Sequence, residues 1–161
     1  MKRAVCSGSF DPVTSGHIDI FSRASVMFDE LIVCVFNNLA KKAFLPVEQR
    51  VSLIAEAVSD LPNVRVDSFS GLLTDYMHEH QASIIVRGIR SVKDLEYEQN
   101  EAYMIRHLEP DIDTVFLLTK PEYCFVSSSG IRELLHFGAP VSGLVPFCVE
   151  QAVSKMKPGR K

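Results

Sequence analysis

Apolar and polar positions change their period repeatedly along the chain. Short runs rich in β-branched residues, RAVCSG at 3–8, ELIVCVF at 30–36, NVRVDSF at 63–69, SIIVRG at 83–88 and DTVFLLT at 113–119, read as five strands. SIIVRG is apolar on both faces, as a buried parallel strand is. Between the first two runs, Ile18, Phe21, Ala24 and Phe28 recur at helical spacing. Over 47–61, Val51, Ile54, Ala55, Val58 and Leu61 form one apolar stripe opposite Glu48, Arg50 and Glu56, and Pro46 suits the first turn of that helix. Residues 71–80 read as a short helix and 92–108 as a long polar one. Helices at 128–137 and 146–156 close the chain, and the tail from about 155 to 161 is expected to fray.

Strands that alternate with helical crossovers predict one α/β domain over residues 1–161. Its expected form is a Rossmann-like, doubly wound five-stranded parallel sheet with helices on both faces. Ligands of such sheets lie beyond the carboxyl ends of the strands. Polar clusters at 9–17, 37–42, 70–73, 87–90 and 123–129 each follow one of the five strands, so all five fall on that edge.

Composition narrows the partners. The 17 basic and 20 acidic residues leave a formal charge of −3, so no global field draws the chain to nucleic acid or to an anionic membrane. Phosphate chemistry must then rest on locally placed cations. The longest apolar run, LIVCVF at 31–36, is far short of the roughly 20 residues that span a bilayer. After Lys2 and Arg3 the apolar stretch ends at Ser7, too soon for an export signal. Cysteines at 6, 34, 124 and 148 form no Cys-x-x-Cys pair and are expected to be reduced, mostly buried thiols of a cytoplasmic protein.

The candidate chemistry begins with SGSFDPVTSGH at 7–17, a strand-to-helix turn. Gly8 would let the backbone approach a ligand, and Gly16 and His17 would stand at a helix entrance where N–H groups and the dipole favour an anion. RGIRSVKDLEYEQ at 87–99 sets Arg87 and Arg90 at a strand exit, with Glu96 and Glu98 early in the next helix. Arginines there suit phosphate through paired, charge-assisted hydrogen bonds. Lys41 and Lys42 follow the second strand, and VSSSGIRE at 126–133 puts three serines ahead of a helix. Taken singly, each has an ordinary reading: a glycine loop, a solvated helix start, surface lysines, an N-cap. No Gly-x-x-x-x-Gly-Lys-Ser/Thr loop occurs, and Phe36 and Asn37 stand where a dinucleotide fold carries an acidic ribose ligand, which disfavours hydride transfer. His78 and His80 flank Glu79 on a polar helix and read as solvent-facing rather than metal-binding.

Together, Gly8-Ser9-Phe10-Asp11-Pro12, Thr14-x-Gly16-His17, Arg87-Gly88-x-Arg90 and Ser127-Ser128-Ser129 resemble the nucleotidylyltransferase superfamily with its His-x-Gly-His-type motif. Within it, RGIRSVKDLEYE and FVSSSGIRE are similar to the bacterial phosphopantetheine adenylyltransferases, over essentially the whole chain. The resemblance implies transfer of the adenylyl group of ATP to 4′-phosphopantetheine, giving dephospho-coenzyme A and pyrophosphate in coenzyme A biosynthesis. An attacking phosphate is already anionic, so the reaction needs alignment and charge neutralisation rather than a protein nucleophile.

The roles below are those the resemblance implies. His17, Lys41 and Arg90 are the catalytic set, with His17 donating to the α-phosphate. Ser9, Lys41, Leu73 and Arg87 bind the acceptor, Leu73 through its backbone. Ser9, Phe10, His17, Gly88, Ile89, Arg90, Glu98, Tyr123, Cys124, Phe125, Val126, Ser127, Ser128 and Ser129 form the ATP side. Mg²⁺ bridges the phosphates with few protein ligands. A homohexamer, to which helix 92–108 could contribute, and feedback by coenzyme A are further implications. Two positions, Ser9 and Ser7, depart from the family pattern. Ser9 stands for threonine and keeps the hydroxyl. Ser7 stands for proline and is expected to loosen the turn. Thr14 takes the first motif place, as is usual in this branch. Two alternatives stay open: a nucleotidylyltransferase with nicotinate mononucleotide or a phosphoalcohol as acceptor, and a non-catalytic nucleotide-sensing module on the same fold.

Overall fold

The computed structural model describes residues 1–37 and 42–156. Five strands, β1 (Arg3–Gly8), β2 (Glu30–Phe36), β3 (Val64–Phe69), β4 (Ile84–Ile89) and β5 (Asp113–Leu118), form one parallel sheet in the order β3-β2-β1-β4-β5. Six helices connect or follow them: α1 (Ser15–Ser25), α2 (Val47–Ala57), α3 (Leu73–Glu79), α4 (Val92–Leu108), α5 (Ser128–His136) and α6 (Phe147–Ser154). The predicted doubly wound sheet is therefore the observed one. Most element boundaries agree within a residue or two, while α1 begins and α2 ends earlier than their apolar stripes suggest. Of the tail expected to fray from about 155 to 161, residues 155 and 156 follow the end of α6 and 157–161 lie outside the described residues.

The period of two along the strands sorts their side chains into two cores. Ala4, Cys6, Leu31, Val33, Val35 and Val86 pack with Ile20, Phe21, Leu53, Ile54, Ile131 and Val149, from α1, α2, α5 and α6. Val5, Ile32, Cys34 and Ile85 point to the other face and meet Tyr76 and Met77 of α3, with Ile105 of α4 packed against them. Helices thus cover both faces. Burial pushes the Cys6 thiol up to about 12 and Cys34 up to about 11, so both are unreactive thiols, and Cys148 is also buried while Cys124 is exposed. Among the described residues no helix is long and apolar enough to cross a membrane.

Two helices differ from their sequence reading. Arg50 of α2, expected on the outer face, is only 3% exposed, whereas Ala55 of the expected stripe faces out and Leu53 is buried in its place. The reversal has a local cause: Arg50 Nε donates to the Leu45 carbonyl at 3.1 Å and Nη1 to the Ser9 carbonyl at 2.7 Å, so the buried charge is hydrogen-bonded. α4 buries no residue completely and leaves Val92, Leu95, Tyr97, Tyr103, Met104 and Leu108 exposed. These apolar side chains are spread around the helix and are not covered by the described residues of this chain.

The register of the central strands positions the site. β1 pairs with β2 from Arg3↔Glu30 through Gly8↔Val35, and β4 with β5 through Ile89↔Leu118. Between β1 and β4 only Ala4↔Ile84 and Val5↔Ile85 pair. Beyond those two pairs the carboxyl ends of β1 and β4 separate, at the point where the strand order reverses, and a crevice opens there.

Candidate active site

The loop leaving β1 is shaped by contacts from distant elements. Phe10 takes φ 45°, in the left-handed region, and folds its ring back over Gly8. A Cβ on Gly8 would lie 2.9 Å from Phe10 Cζ, so the glycine makes room for the phenyl ring. Gly8 also lines the crevice between β1 and β4, so its backbone stays open to a ligand on one side while the ring packs on the other. The Asp11 carboxylate accepts from the backbone N–H groups of Phe44, at 2.7 Å, and Leu45, at 2.8 Å. From α5, Arg132 donates to the Asp11 carbonyl at 2.6 Å and the Ser128 hydroxyl to the Pro12 carbonyl at 2.8 Å. With Arg50 on the Ser9 carbonyl, three carbonyls of the loop are held from α2 and α5.

His17 is the third residue of α1 and part of a reciprocal cap. The Thr14 hydroxyl accepts from the His17 backbone N–H, and the Thr14 backbone N–H donates to His17 Nδ1 at 3.0 Å. With Nδ1 accepting, the neutral ring carries its proton on Nε2. Phe10 meets the imidazole edge to face at 5.1 Å, and Phe21 lies parallel to it at 6.3 Å. Enclosure among these groups, and then the Arg90 guanidinium, lower the His17 pKa to about 4. At neutral pH the ring is an uncharged Nε2–H donor, and Nε2 has no acceptor among the described residues.

A cleft of about 270 Å³ fills the gap between β1 and β4, and its wall includes Ser9, Phe10, His17, Arg87, Gly88, Arg90, Glu98, Val126 and Ser128. Arg87 Nη1 donates to the carbonyl and, at 3.0 Å, to the hydroxyl of Ser7, and its Nε lies 3.0 Å from Glu98 Oε2. Burial raises the Glu98 pKa and Arg87 opposes the rise; Oε2 lies off the N–H direction and makes no hydrogen bond among the described residues. Arg90 pairs with Asp94 at 3.1 Å and reaches the Val126 carbonyl at 3.4 Å. Ser7, expected to loosen the turn, instead lies inside β1, buried, as an acceptor for Arg87.

Ile89, Leu73, Tyr123, Cys124, Phe125, Ser127 and Ser129 are not part of this wall. Ile89 is buried at the end of β4. Tyr123 and Cys124 form and follow a short 3₁₀ turn (Pro121–Tyr123), and Phe125 is exposed. Of the three serines, Ser127 caps α5 by accepting from the Gly130 N–H at 3.0 Å, Ser128 holds the motif loop, and Ser129 lies 3.2 Å from Ser127. Leu73 opens α3 and packs on the opposite core. Lys41 lies outside the described residues. Lys42 lines a second opening of about 490 Å³, with Asp11, Asn37, Arg50 and Arg132, and this opening shares Ser9 with the first. His78 is exposed and pairs with Glu109 at 3.0 Å, whereas His80 is half-buried, 4.2 Å from the Tyr76 ring, which corrects its solvent-facing reading. Arg50 and Arg132 carry functional geometry that the sequence reading did not assign. Arg50 had the signal of a lone arginine beside an apolar stripe, and Arg132 stood in a quoted motif without a role.

A crevice of about 270 Å³ at the reversal of a parallel sheet, lined by a helix-capping histidine and two arginines, agrees with a family model described as cytidylyltransferase-like, which matches residues 5–134. This defines the class: a nucleotidyltransferase. The chain is 49% identical over 156 residues to the phosphopantetheine adenylyltransferase of Shouchella clausii, covering 97% of this chain and 98% of that one. It is 51% identical over 146 residues to the Clostridium kluyveri protein of the same name, covering 91% and 89%. The chain belongs to the phosphopantetheine adenylyltransferase family. Its fold is shared with a crystal structure from Vibrio parahaemolyticus described as a nicotinate-nucleotide adenylyltransferase, with a TM-score of 0.70, 20% identity, and 96% and 99% of the two chains covered.

Proposed function

We propose that this chain transfers the adenylyl group of ATP to 4′-phosphopantetheine, releasing pyrophosphate and forming dephospho-coenzyme A. The observation that carries the reading is the convergence of the neutral His17 donor with Arg87 and Arg90 on one crevice, in a chain about half identical to named relatives over its length. The acceptor phosphate oxygen attacks the α-phosphorus of ATP, and the bond to the pyrophosphate oxygen breaks. No group on the protein has to be deprotonated. The Nε2–H of His17 suits the oxygen charge that grows on the α-phosphoryl group, a contact worth most in the transition state. Arg90, beside the α5 entrance, is the cation for ATP, with Phe10, Gly88, Ile89, Glu98 and residues 123–129 around the nucleotide. Arg87, on the side of Ser7, is the cation for the acceptor phosphate, joined by Ser9, Lys41 and the Leu73 backbone.

Mg²⁺ belongs to the same proposal. The ion would be held chiefly by phosphate oxygens and water, which the Arg90 guanidinium and Ser9 on the crevice wall are suited to gather. When bound, it neutralises charge on the leaving pyrophosphate. The residues that would present phosphates to it are His17, Arg90 and Ser9. The uncovered apolar side chains of α4 support assembly into a homohexamer, and the four free thiols support a reducing compartment, the cytoplasm. Coenzyme A, which carries the product's pantetheine arm, is the expected feedback ligand of the same crevice.

Pyrophosphate release measured with ATP and each acceptor tests the assignment. Turnover with 4′-phosphopantetheine, and little with nicotinate mononucleotide, is the expected result; the reverse preference overturns it. ATP binding without pyrophosphate from any acceptor would instead mark a nucleotide-sensing module.

A further inference from the structure

In β1 and β4, side chains of alternate residues share a face. Ser7 follows Val5 by two and Arg87 follows Ile85 by two, and Val5 and Ile85 both belong to the core under α3 and α4. Their register pair, Val5↔Ile85, is also the last between the two strands. Ser7 and Arg87 are therefore the first residues on that face beyond the end of the ladder. There the side chain of Arg87 bridges the opening strands, with Nη1 on the Ser7 carbonyl and, at 3.0 Å, on its hydroxyl. Glu98 of α4 flanks Nε at 3.0 Å. Nη2 has no acceptor among the described residues and is the edge left for the cleft.

An arginine held this way loses less rotamer freedom when an anion arrives than one that must be ordered on binding. The Ser7 carbonyl cannot do this alone, because one acceptor leaves the guanidinium plane free to turn about that bond. A hydroxyl oxygen on the same nitrogen, with the carboxylate beside Nε, defines the plane. We infer that the Ser7 hydroxyl is a positioning group: it orients Arg87 and thereby sets how tightly the acceptor phosphate is held. The inference rests on Arg87 being the acceptor's cation, as proposed above. Ser7 is distinct in kind from His17, since it acts through another side chain and on binding rather than on the chemical step.

Steady-state kinetics of the full chain with ATP and 4′-phosphopantetheine test it. Ser7→Ala should raise the KM for phosphopantetheine about three- to tenfold, the worth of one side-chain hydrogen bond. Over the same comparison, kcat should change by less than about twofold and the KM for ATP should stay put. Ser7→Cys keeps the shape with a poor acceptor and should raise the acceptor KM likewise, which separates the hydrogen bond from packing. In an Arg87→Ala background, which itself raises the acceptor KM, adding Ser7→Ala should have no further effect. An unchanged acceptor KM in both Ser7 variants, or the same rise with and without Arg87, overturns the role of Ser7 alone. An unchanged acceptor KM in Arg87→Ala overturns the assignment of Arg87, and the inference falls with it.

Discussion

The two edges of β1 are put to different uses. Toward β2 the ladder runs without a break from Arg3↔Glu30 to Gly8↔Val35, and Leu31, Ile32, Val33, Cys34 and Val35 are wholly buried. Toward β4 it stops after two pairs, and polar side chains take over where backbone pairing ends. One strand thus carries the stability of the domain on one side and its chemistry on the other. Strand separation on the site side exposes backbone and admits charge, and this is tolerable because the other edge supplies an intact apolar core. The loop and cations of the crevice are in turn held by hydrogen bonds from α2 and α5 and by the Glu98 carboxylate of α4, 3.0 Å from Arg87 Nε.

If the two edges are separable, damage to one should leave the other largely untouched. The largest effect is expected at the crevice. His17→Ala should lower kcat by about two to three orders of magnitude, as loss of a transition-state donor does, with ATP affinity little changed. Its denaturation midpoint should fall only as far as losing one helix-cap contact requires, about 1 kcal/mol. A kcat near that of the parent would remove His17 from the chemistry. On the opposite edge, Leu31→Ala should cost about 2–5 kcal/mol of stability while the KM for both substrates is kept, measured on the fraction that remains folded. A selective rise in either KM, without loss of stability, would join the two edges that the register separates.

The smallest effect sharpens the electrostatic side of the comparison. The folded pKa of His17, about 4, lies below its ordinary value of 6.5. Above 6.5 the ring is neutral in both folded and unfolded chains, and it adds no pH dependence. As the pH falls from 6.5 towards 4, the unfolded chain takes up a proton that the folded chain refuses, so stability drops through that window. The difference between parent and His17→Gln in denaturation midpoint should therefore shift against the parent as the solution is acidified. Imidazole NMR of the free protein should show no His17 inflection near 6.5, and one there would contradict the neutral, Nε2-protonated ring.

Much of the fold was legible because its signals are local. β1 and β2 begin and end where their apolar runs do, and α4 covers the expected 92–108 span from a Ser91 cap. Within the site, Ser9, Phe10, His17, Arg87, Gly88, Arg90, Glu98, Val126 and Ser128 converge as the strand-end rule requires. Other particulars were not legible. Gly8 was read as room for a ligand, and the packing of the Phe10 ring on it was not foreseen. Ser7 was read as a weak point and is an acceptor. Arg50 was read as solvated and is buried.

The sequence by itself determined the five parallel strands, their crossovers and the edge on which the polar clusters meet. Periods of two and 3.6, caps and glycines act over a few residues, and a parallel sheet joined by helices has one carboxyl edge. Only the tertiary structure decided what each polar group does there. Arg50 finds the Ser9 carbonyl 41 residues away, Arg87 finds Ser7 at a separation of 80, and Arg132 finds Asp11 at 121. A side chain's role depends on which donors, acceptors and apolar surfaces surround it, and these neighbours come together only when the chain has folded.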